Sequence, residues 1–266
     1  MKKQKQEQKK LGISLRGGGA RSIGYLGFFK ALREEGIKIH SFIGSSGGAL
    51  IASSQALGLT YEEVIKHYSS YKPFKGVNPL NISKGFLISN SNAIVHAKKM
   101  AKNKRIEDTK IPLHIQTTDI KESNKKIFSK GPLAKILIAS SAMGGIYQPV
   151  EFNKRLYCDG DMTCGFDSDF LKQNGADVVI GLTCEGEKAD YKKMNFLGKF
   201  LYPIFISINR FRDLDAQINK VDLIIKNYGY NLGVFDFKEH KSRLAFDEGY
   251  KMTKQRMGDI KKLLYT

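Results

Sequence analysis

Apolar residues fall in short, dense runs separated by glycine-, asparagine- and lysine-rich breaks, and the period of each run predicts an element. Leu11-Gly12-Ile13-Ser14-Leu15 alternates with period two and predicts a first strand. Ile23, Leu26, Phe28, Phe29 and Leu32 then recur at helical spacing, with Gly36 as a C-terminal stop. Ile39-His40-Ser41-Phe42-Ile43 predicts a second strand, and Ala49–Leu57 a buried helix closed by Gly58. Arg155-Leu156-Tyr157-Cys158-Asp159 is a third strand, ending in Asp-Gly. Further along, 195–211 carries Phe196, Leu197, Phe200, Leu201, Ile204, Phe205, Ile206 and Ile208 with Pro203 interrupting it. This pattern predicts a core-packing helix pair, with an interfacial lid beside an acyl pocket as the competing reading. Asp213–Asn227 predicts a helix bearing Leu214, Ile218, Val221, Ile224 and Ile225 on one face, and Asn78–Asn92 a loop with an apolar tip at Phe86, Leu87 and Ile88. Strands alternating with helices, without internal repeat or linker, predict one α/β domain over residues 11–266.

Two of the breaks carry chemistry. Gly44-Ser45-Ser46-Gly47-Gly48 lies between a strand and a helix, the context that a G-x-S-x-G nucleophile elbow requires. There Ser46 is exposed at a helix N-terminus, where free N–H groups favour developing negative charge. The same pentapeptide is also compatible with a plain small-residue turn before a core helix. Earlier, Arg16-Gly17-Gly18-Gly19-Ala20-Arg21 joins the first strand to the first helix. Its bare backbone amides suit an oxyanion or a phosphate. The spacing Gly17-x-Gly19-x-x-Ser22 lacks the third glycine of a dinucleotide fingerprint, and no Gly-Lys-Ser/Thr P-loop is present, so acyl transfer fits better. Asp159-Gly160 would bring a carboxylate to the carboxyl edge of a parallel sheet, although Asp-Gly alone is commonly a turn.

Taken together, Gly17-Gly18-Gly19-Ala20-Arg21, Gly44-Ser45-Ser46-Gly47-Gly48 and Asp159-Gly160, in that order and spacing, resemble the motifs of the patatin-like phospholipases. Ala139–Val150 is similar to the family's segment leading into its Asp-Gly strand, and Gly175–Gly181 to the strand that follows. The resemblance implies a three-layer α/β/α sandwich around a mostly parallel sheet. It also implies a lipid acyl hydrolase with a Ser46–Asp159 dyad, an oxyanion hole at Gly17, Gly18, Gly19 and Arg21, an elbow flanked by Gly44 and Gly48, an acid motif completed by Gly160, and no cofactor or metal. Three residues depart from the family pattern: Arg16 before the glycines, Ser22 after the basic residue, and Asp161 after Asp-Gly. Asp161 would add negative charge beside the base. A catalytically weak relative that binds membranes or a protein partner through its basic surface is the alternative.

The chemistry asked of such a dyad is demanding, since a free aspartate with a pKa of about 3.9 is a poor base for a serine hydroxyl. A Ser…Asp…His triad is the rival, and only His240 follows Asp159, within the polar stretch Lys238-Glu239-His240-Lys241. His40, His67, His96 and His114 precede the acid, show no metal-ligand spacing and read as structural or surface residues.

Composition adds surroundings. Lys and Arg number 44 against 26 acids, a net charge of +18 over 266 residues. That excess is compatible with a nucleic-acid binder, an anionic-membrane binder or merely a lysine-heavy composition, since the lysines are spread along the chain and no aromatic-interleaved basic motif is present. The family resemblance, with its membrane-lipid substrate, implies peripheral contact with an anionic membrane rather than nucleic acid. Residues 1–10, almost wholly Lys, Gln and Glu, predict a disordered basic arm with no apolar signal region. Three cysteines, Cys158, Cys164 and Cys184, make no disulfide framework and point to a reducing cytosol. Cys158 beside Asp159 reads as a small strand filler rather than a second nucleophile.

Overall fold

A computed structural model describes residues 7–185, 191–194, 196–218, 220–228 and 232–266. Residues 1–6 of the expected basic arm and Asn195 lie outside the described residues, as do the side chains of Phe196, Leu197, Phe200 and Leu201. Residues 7–10 of that stretch are described. Gln8 exchanges hydrogen bonds with the Lys38 backbone (2.6 and 2.9 Å), and the Lys10 amide donates to Asp177 (2.7 Å).

The chain opens with β1 (Leu11–Leu15), α1 (Tyr25–Glu34), β2 (Ile39–Gly44) and α2 (Ser46–Ala56). Then come α3 (Tyr61–Ser69), α4 (Ser91–Ala101), β3 (Leu113–Asp119), β4 (Asn124–Phe128) and α5 (Leu133–Ser140). The hairpin β5 (Val150–Phe152) and β6 (Arg155–Asp159) leads to α6 (Ser168–Gln173) and β7 (Val178–Glu185). The last elements are α7 (Phe196–Ile218), β8 (Leu223–Tyr228), α8 (Glu239–Gln255) and α9 (Met257–Tyr265). The sheet runs β5-β6-β3-β2-β1-β7-β8, with β4 also paired to β3. Its ladders from β3 through β2, β1 and β7 to β8 are parallel, and those joining β3 to β4, β3 to β6 and β5 to β6 are antiparallel. A mixed α/β sheet between helices is thus the architecture.

The two faces of the sheet are covered separately. Leu11, Ile13, Leu15, Phe42, Ile180 and Leu182 join the main core with α1, α2 and α5. Ile43 and Val179, on alternate strand positions, face Leu171 of α6 in a second cluster. Helix α2 is buried almost all round, and Ala49, Ala52 and Ala56 let it lie close against the strands.

Two expected elements differ. Residues 195–211 are not a helix pair, because α7 continues as one helix from Phe196 to Ile218 through Pro203. Asp213–Asn227 is not one helix either: its second half is β8, paired in parallel with β7 from Ile180↔Leu223 to Glu185↔Tyr228. The run Leu223-Ile224-Ile225 is short and branched, and a short apolar run cannot be assigned by period alone; the open edge of β7 decides it.

Candidate active site

Ser46 occupies the first position of α2 with φ near +50°, a left-handed conformation that costs a non-glycine residue about 1–3 kcal/mol. Neighbouring groups hold it there. The Ser46 amide donates to Ser140 Oγ (2.9 Å), and Ser140 Oγ donates to the Gln116 carbonyl (2.6 Å), so α5 and β3 together fix the turn. Gly48 is required on the other side, since a Cβ there would lie 2.5 Å from the Leu15 carbonyl oxygen.

Asp159 reaches Ser46 by a different route from the one expected. Strand β6 is antiparallel to β3 and pairs Asp159 with Thr117, while Gly44 at the end of β2 pairs with Ile115 on the same strand. The carboxylate therefore arrives on a hairpin strand running against β2, not at the carboxyl edge of a parallel strand. Ser46 Oγ donates to Asp159 Oδ2 at 2.8 Å, with Ser46 8% and Asp159 2% exposed. Burial strengthens this contact and keeps water from competing for the carboxylate.

The second carboxylate, Asp161, is built into the same corner. Its amide donates to Asp159 Oδ1 (2.9 Å), while its own Oδ1 accepts the Gly17 amide (3.1 Å) and the Ser45 hydroxyl. Asp161 thus ties the acid motif to the glycine loop and to the elbow. It also sets the loop's orientation: Gly17 directs its N–H to Asp161, whereas Gly18 and Gly19 line the cavity into which Ser46 opens. Of the expected oxyanion residues, Gly18, Gly19 and Arg21 line the same cavity as Ser46. Gly17 packs against Ser46, where a Cβ would lie 2.5 Å from the Ser46 Cβ, and anchors the loop through Asp161.

Arg21 and Ser22 steady this loop. Arg21 Nε donates to the Leu232 carbonyl (2.6 Å) and the Ala20 amide to the Val234 carbonyl (2.8 Å), clipping the loop to the segment before α8. Gly19 accepts the resulting turn with φ of +58°, and a Cβ there would sit 2.2 Å from the Val234 oxygen. The buried Ser22 packs against Gly47. Arg16, 4% exposed, pairs with Asp215 of α7, and its guanidinium lies 3.9 Å above the Phe166 ring. Asp215 in turn accepts the Phe166 amide at 3.1 Å.

The cavity above Ser46 has a volume of 980 Å³, enough for a long acyl chain with its glycerol portion. Leu50, Tyr68, Leu137, Ile138, Phe205 and Ile208 give it apolar walls, so α7 contributes to the site through its cavity-facing residues. His67 and His96, taken from sequence as ordinary structural or surface residues, both line this cavity with their rings 5.2 Å apart. Burial, then the charges of His96 and Lys99, pull the His67 imidazole down to about 4. His240 lies exposed on the first turn of α8. Burial first, then the Asp159 charge, push the Cys158 thiol up to about 12, which leaves it a protonated strand residue. Among the described residues no His, Cys, Asp or Glu cluster could hold a metal ion, and no helix is long and apolar enough to cross a membrane.

Sequence reasoning missed Asp215, Ser140 and Gln116. A signal existed only for the first: an arginine closing an apolar strand has to find a carboxylate if it is buried.

A family model described as patatin-like phospholipase matches residues 13–163, which include the glycine loop, Ser46 and Asp159. Lysophospholipase NTE1 of Kluyveromyces lactis is 26% identical over 217 residues, 79% of this chain and 15% of the yeast protein. An uncharacterised NTE family protein of Mycobacterium bovis is 27% identical over 183 residues, 68% of this chain and 50% of that protein. The chain therefore spans half or less of the length of these relatives. Among solved structures, VipD from Legionella pneumophila is similar with a TM-score of 0.54 at 15% identity, covering 95% of this chain and 67% of that one. Human GIVD cytosolic phospholipase A2, solved with a methyl gamma-linolenyl fluorophosphonate inhibitor, has a TM-score of 0.55 at 12% identity, covering 96% and 59%. At these identities the likeness is one of fold.

Proposed function

Because the chain belongs to the patatin-like phospholipase family, we propose that it is a lipid acyl hydrolase of the phospholipase A type, working through Ser46 and Asp159. The observation that carries this reading is the 2.8 Å hydrogen bond from Ser46 Oγ to Asp159 Oδ2 at a left-handed elbow. Asp159 takes the hydroxyl proton as Ser46 Oγ bonds to the ester carbonyl carbon, and the amides of Gly18 and Gly19 hold the oxyanion. The tetrahedral intermediate collapses, its C–O bond to the alcohol breaks, and Asp159 returns the proton to the leaving alkoxide. Water then attacks the acyl-enzyme with Asp159 again as base, releasing the fatty acid and restoring Ser46.

The apolar cavity walls support an acyl-chain substrate, and the resemblance to lysophospholipases supports a membrane lipid as its source. With a net charge of +18, the protein would work from the cytoplasm as a peripheral visitor to anionic membranes. Replacing Ser46 with Ala tests the nucleophile. Hydrolysis of a short-chain nitrophenyl ester should fall on the order of 10⁴-fold or more, with the circular dichroism spectrum unchanged. Turnover by folded Ser46→Ala protein at the wild-type rate would remove Ser46 from the chemistry.

A further inference from the structure

Among the described residues, exposed large apolar side chains are densest in one segment of the chain. Phe74 (47% exposed), Val77 (50%), Leu80 (79%), Ile82 (62%), Ile94 (39%) and Val95 (64%) all fall between residues 74 and 95. The 3₁₀ turn Pro79–Lys84 buries none of its residues. It is held out from the body by its base: Asn78 and Leu87 share a backbone hydrogen bond (3.0 Å), Leu87 donates to the Ile146 carbonyl (3.0 Å), and Ile88 is buried. The expectation of an apolar tip at Phe86, Leu87 and Ile88 is thereby corrected. Phe86 and Ile88 are the anchor, and Leu80 and Ile82 are the tip.

Charge follows the same segment. From Val64 to Ile106 there is no Asp or Glu, while Lys66, Lys72, Lys75, Lys84, Lys98, Lys99, Lys102, Lys104 and Arg105 supply nine cations. On α4, Ile94 and Val95 share an exposed face with Lys98 and Lys99, one turn further on. Phe74, Ala93 and His96 of this segment also line the cavity above Ser46, so the patch adjoins its opening.

We propose that residues 72–102 form the surface by which this protein docks on an anionic lipid bilayer, with Leu80, Ile82 and Val95 inserted among the acyl chains. Lys75, Lys84, Lys98 and Lys99 lie at the level of the lipid phosphates. Apolar tips ringed by lysines match the layered chemistry of that interface, apolar below and anionic above. The charge also argues against a second copy as the occupant, since two such faces would bring like cations together. Docked this way, the cavity opens towards the bilayer, and a lipid reaches Ser46 along Phe74 without crossing water. The identity of the lipid surface rests on the proposed hydrolase reading; the binding surface itself does not require turnover.

The test separates the two. Partition onto phosphatidylglycerol and phosphatidylcholine vesicles is measured by co-sedimentation for the full chain, for Leu80→Asp/Ile82→Asp and for Lys75→Glu/Lys84→Glu, all carrying Ser46→Ala so that hydrolysis plays no part. Thermal melting confirms that these exposed substitutions leave the fold intact. The apolar pair should weaken partition at least tenfold, on the order of two lost insertions. Charge reversal of the lysine pair should weaken binding to phosphatidylglycerol about fivefold or more per lysine at low salt, and little at high salt. Ile206→Asp on α7, also exposed, should leave partition unchanged. Three results would overturn the proposal: no preference of the wild-type surface for anionic vesicles, loss of binding in Ile206→Asp but not in the apolar pair, or a dimer that Leu80→Asp/Ile82→Asp dissolves without a change in vesicle binding.

Discussion

Ser46 shows how much one side chain depends on groups that no motif contains. Its left-handed backbone is expensive, and Ser140 Oγ and the Gln116 carbonyl hold it by a relayed pair of hydrogen bonds. The glycines around Ser46 were legible in sequence because only small residues fit a strained turn. Ser140 and Gln116 were not, since a buried serine or glutamine carries no periodic signature. By sequence Asp161 is a departure that adds negative charge, and its position gives it a further part: it holds the Gly17 amide and Ser45 hydroxyl against the acid motif. Sequence alone reads His67 as an ordinary structural or surface residue, since it precedes Asp159 and shows no metal-ligand spacing. Its ring lines the cavity and titrates near 4 instead of at 6.5 because burial and neighbouring cations oppose its charged form. The unfolded chain therefore binds a proton at His67 that the folded chain refuses between about pH 6.5 and 4. This makes stability fall as pH falls through that window. His67→Gln should flatten the decline in melting temperature between pH 7 and 4 relative to wild type; an identical slope in both proteins would show that His67 is not held neutral.

At the scale of elements, β1, β2 and α2 follow from the hydrophobic pattern, since β1 and β2 are consecutive strands that pair with each other and α2 follows directly. The remaining elements depend on distant partners. Leu223-Ile224-Ile225 fits a helical stripe with Leu214 and Ile218 as well as it fits a strand, and the edge of β7, some forty residues earlier on the chain, resolves it. Strand β6 was recognised, but its direction was not, because an antiparallel hairpin and a parallel strand share the same alternation. Helix α7 is coupled to the glycine loop by the buried Arg16–Asp215 pair, whose members lie 199 residues apart. Removing one member strands a buried charge, at a cost of about 3–5 kcal/mol, whereas replacing both by apolar residues of similar size restores most of it. Urea unfolding of Arg16→Met, Asp215→Leu and the double variant should show two large losses and a recovery. Additive losses in the double variant would mean that Arg16 and Asp215 stabilise the fold independently.

Over the whole molecule, charge and shape combine in a way that composition alone hides. The lysines run along the entire sequence, yet the acid-free span from Val64 to Ile106 coincides with the exposed apolar tips and adjoins the cavity. The fold brings three motifs of one sheet to the same cavity, a glycine loop after β1, an elbow after β2 and a carboxylate on β6, with α2, α5 and α7 as its walls. That convergence makes the Ser46–Asp159 pair the centre of the proposed chemistry, with His240 exposed on α8. The most direct test compares ester turnover of Asp159→Asn, His240→Ala and Ser46→Ala, each checked for folding by circular dichroism. Residues acting as one unit lose nearly everything when either is removed. Asp159→Asn should therefore fall as far as Ser46→Ala, on the order of 10⁴-fold or more, while His240→Ala keeps wild-type turnover. A folded His240→Ala protein as inactive as Ser46→Ala, or an Asp159→Asn protein that retains substantial turnover, would contradict a direct Ser46–Asp159 dyad.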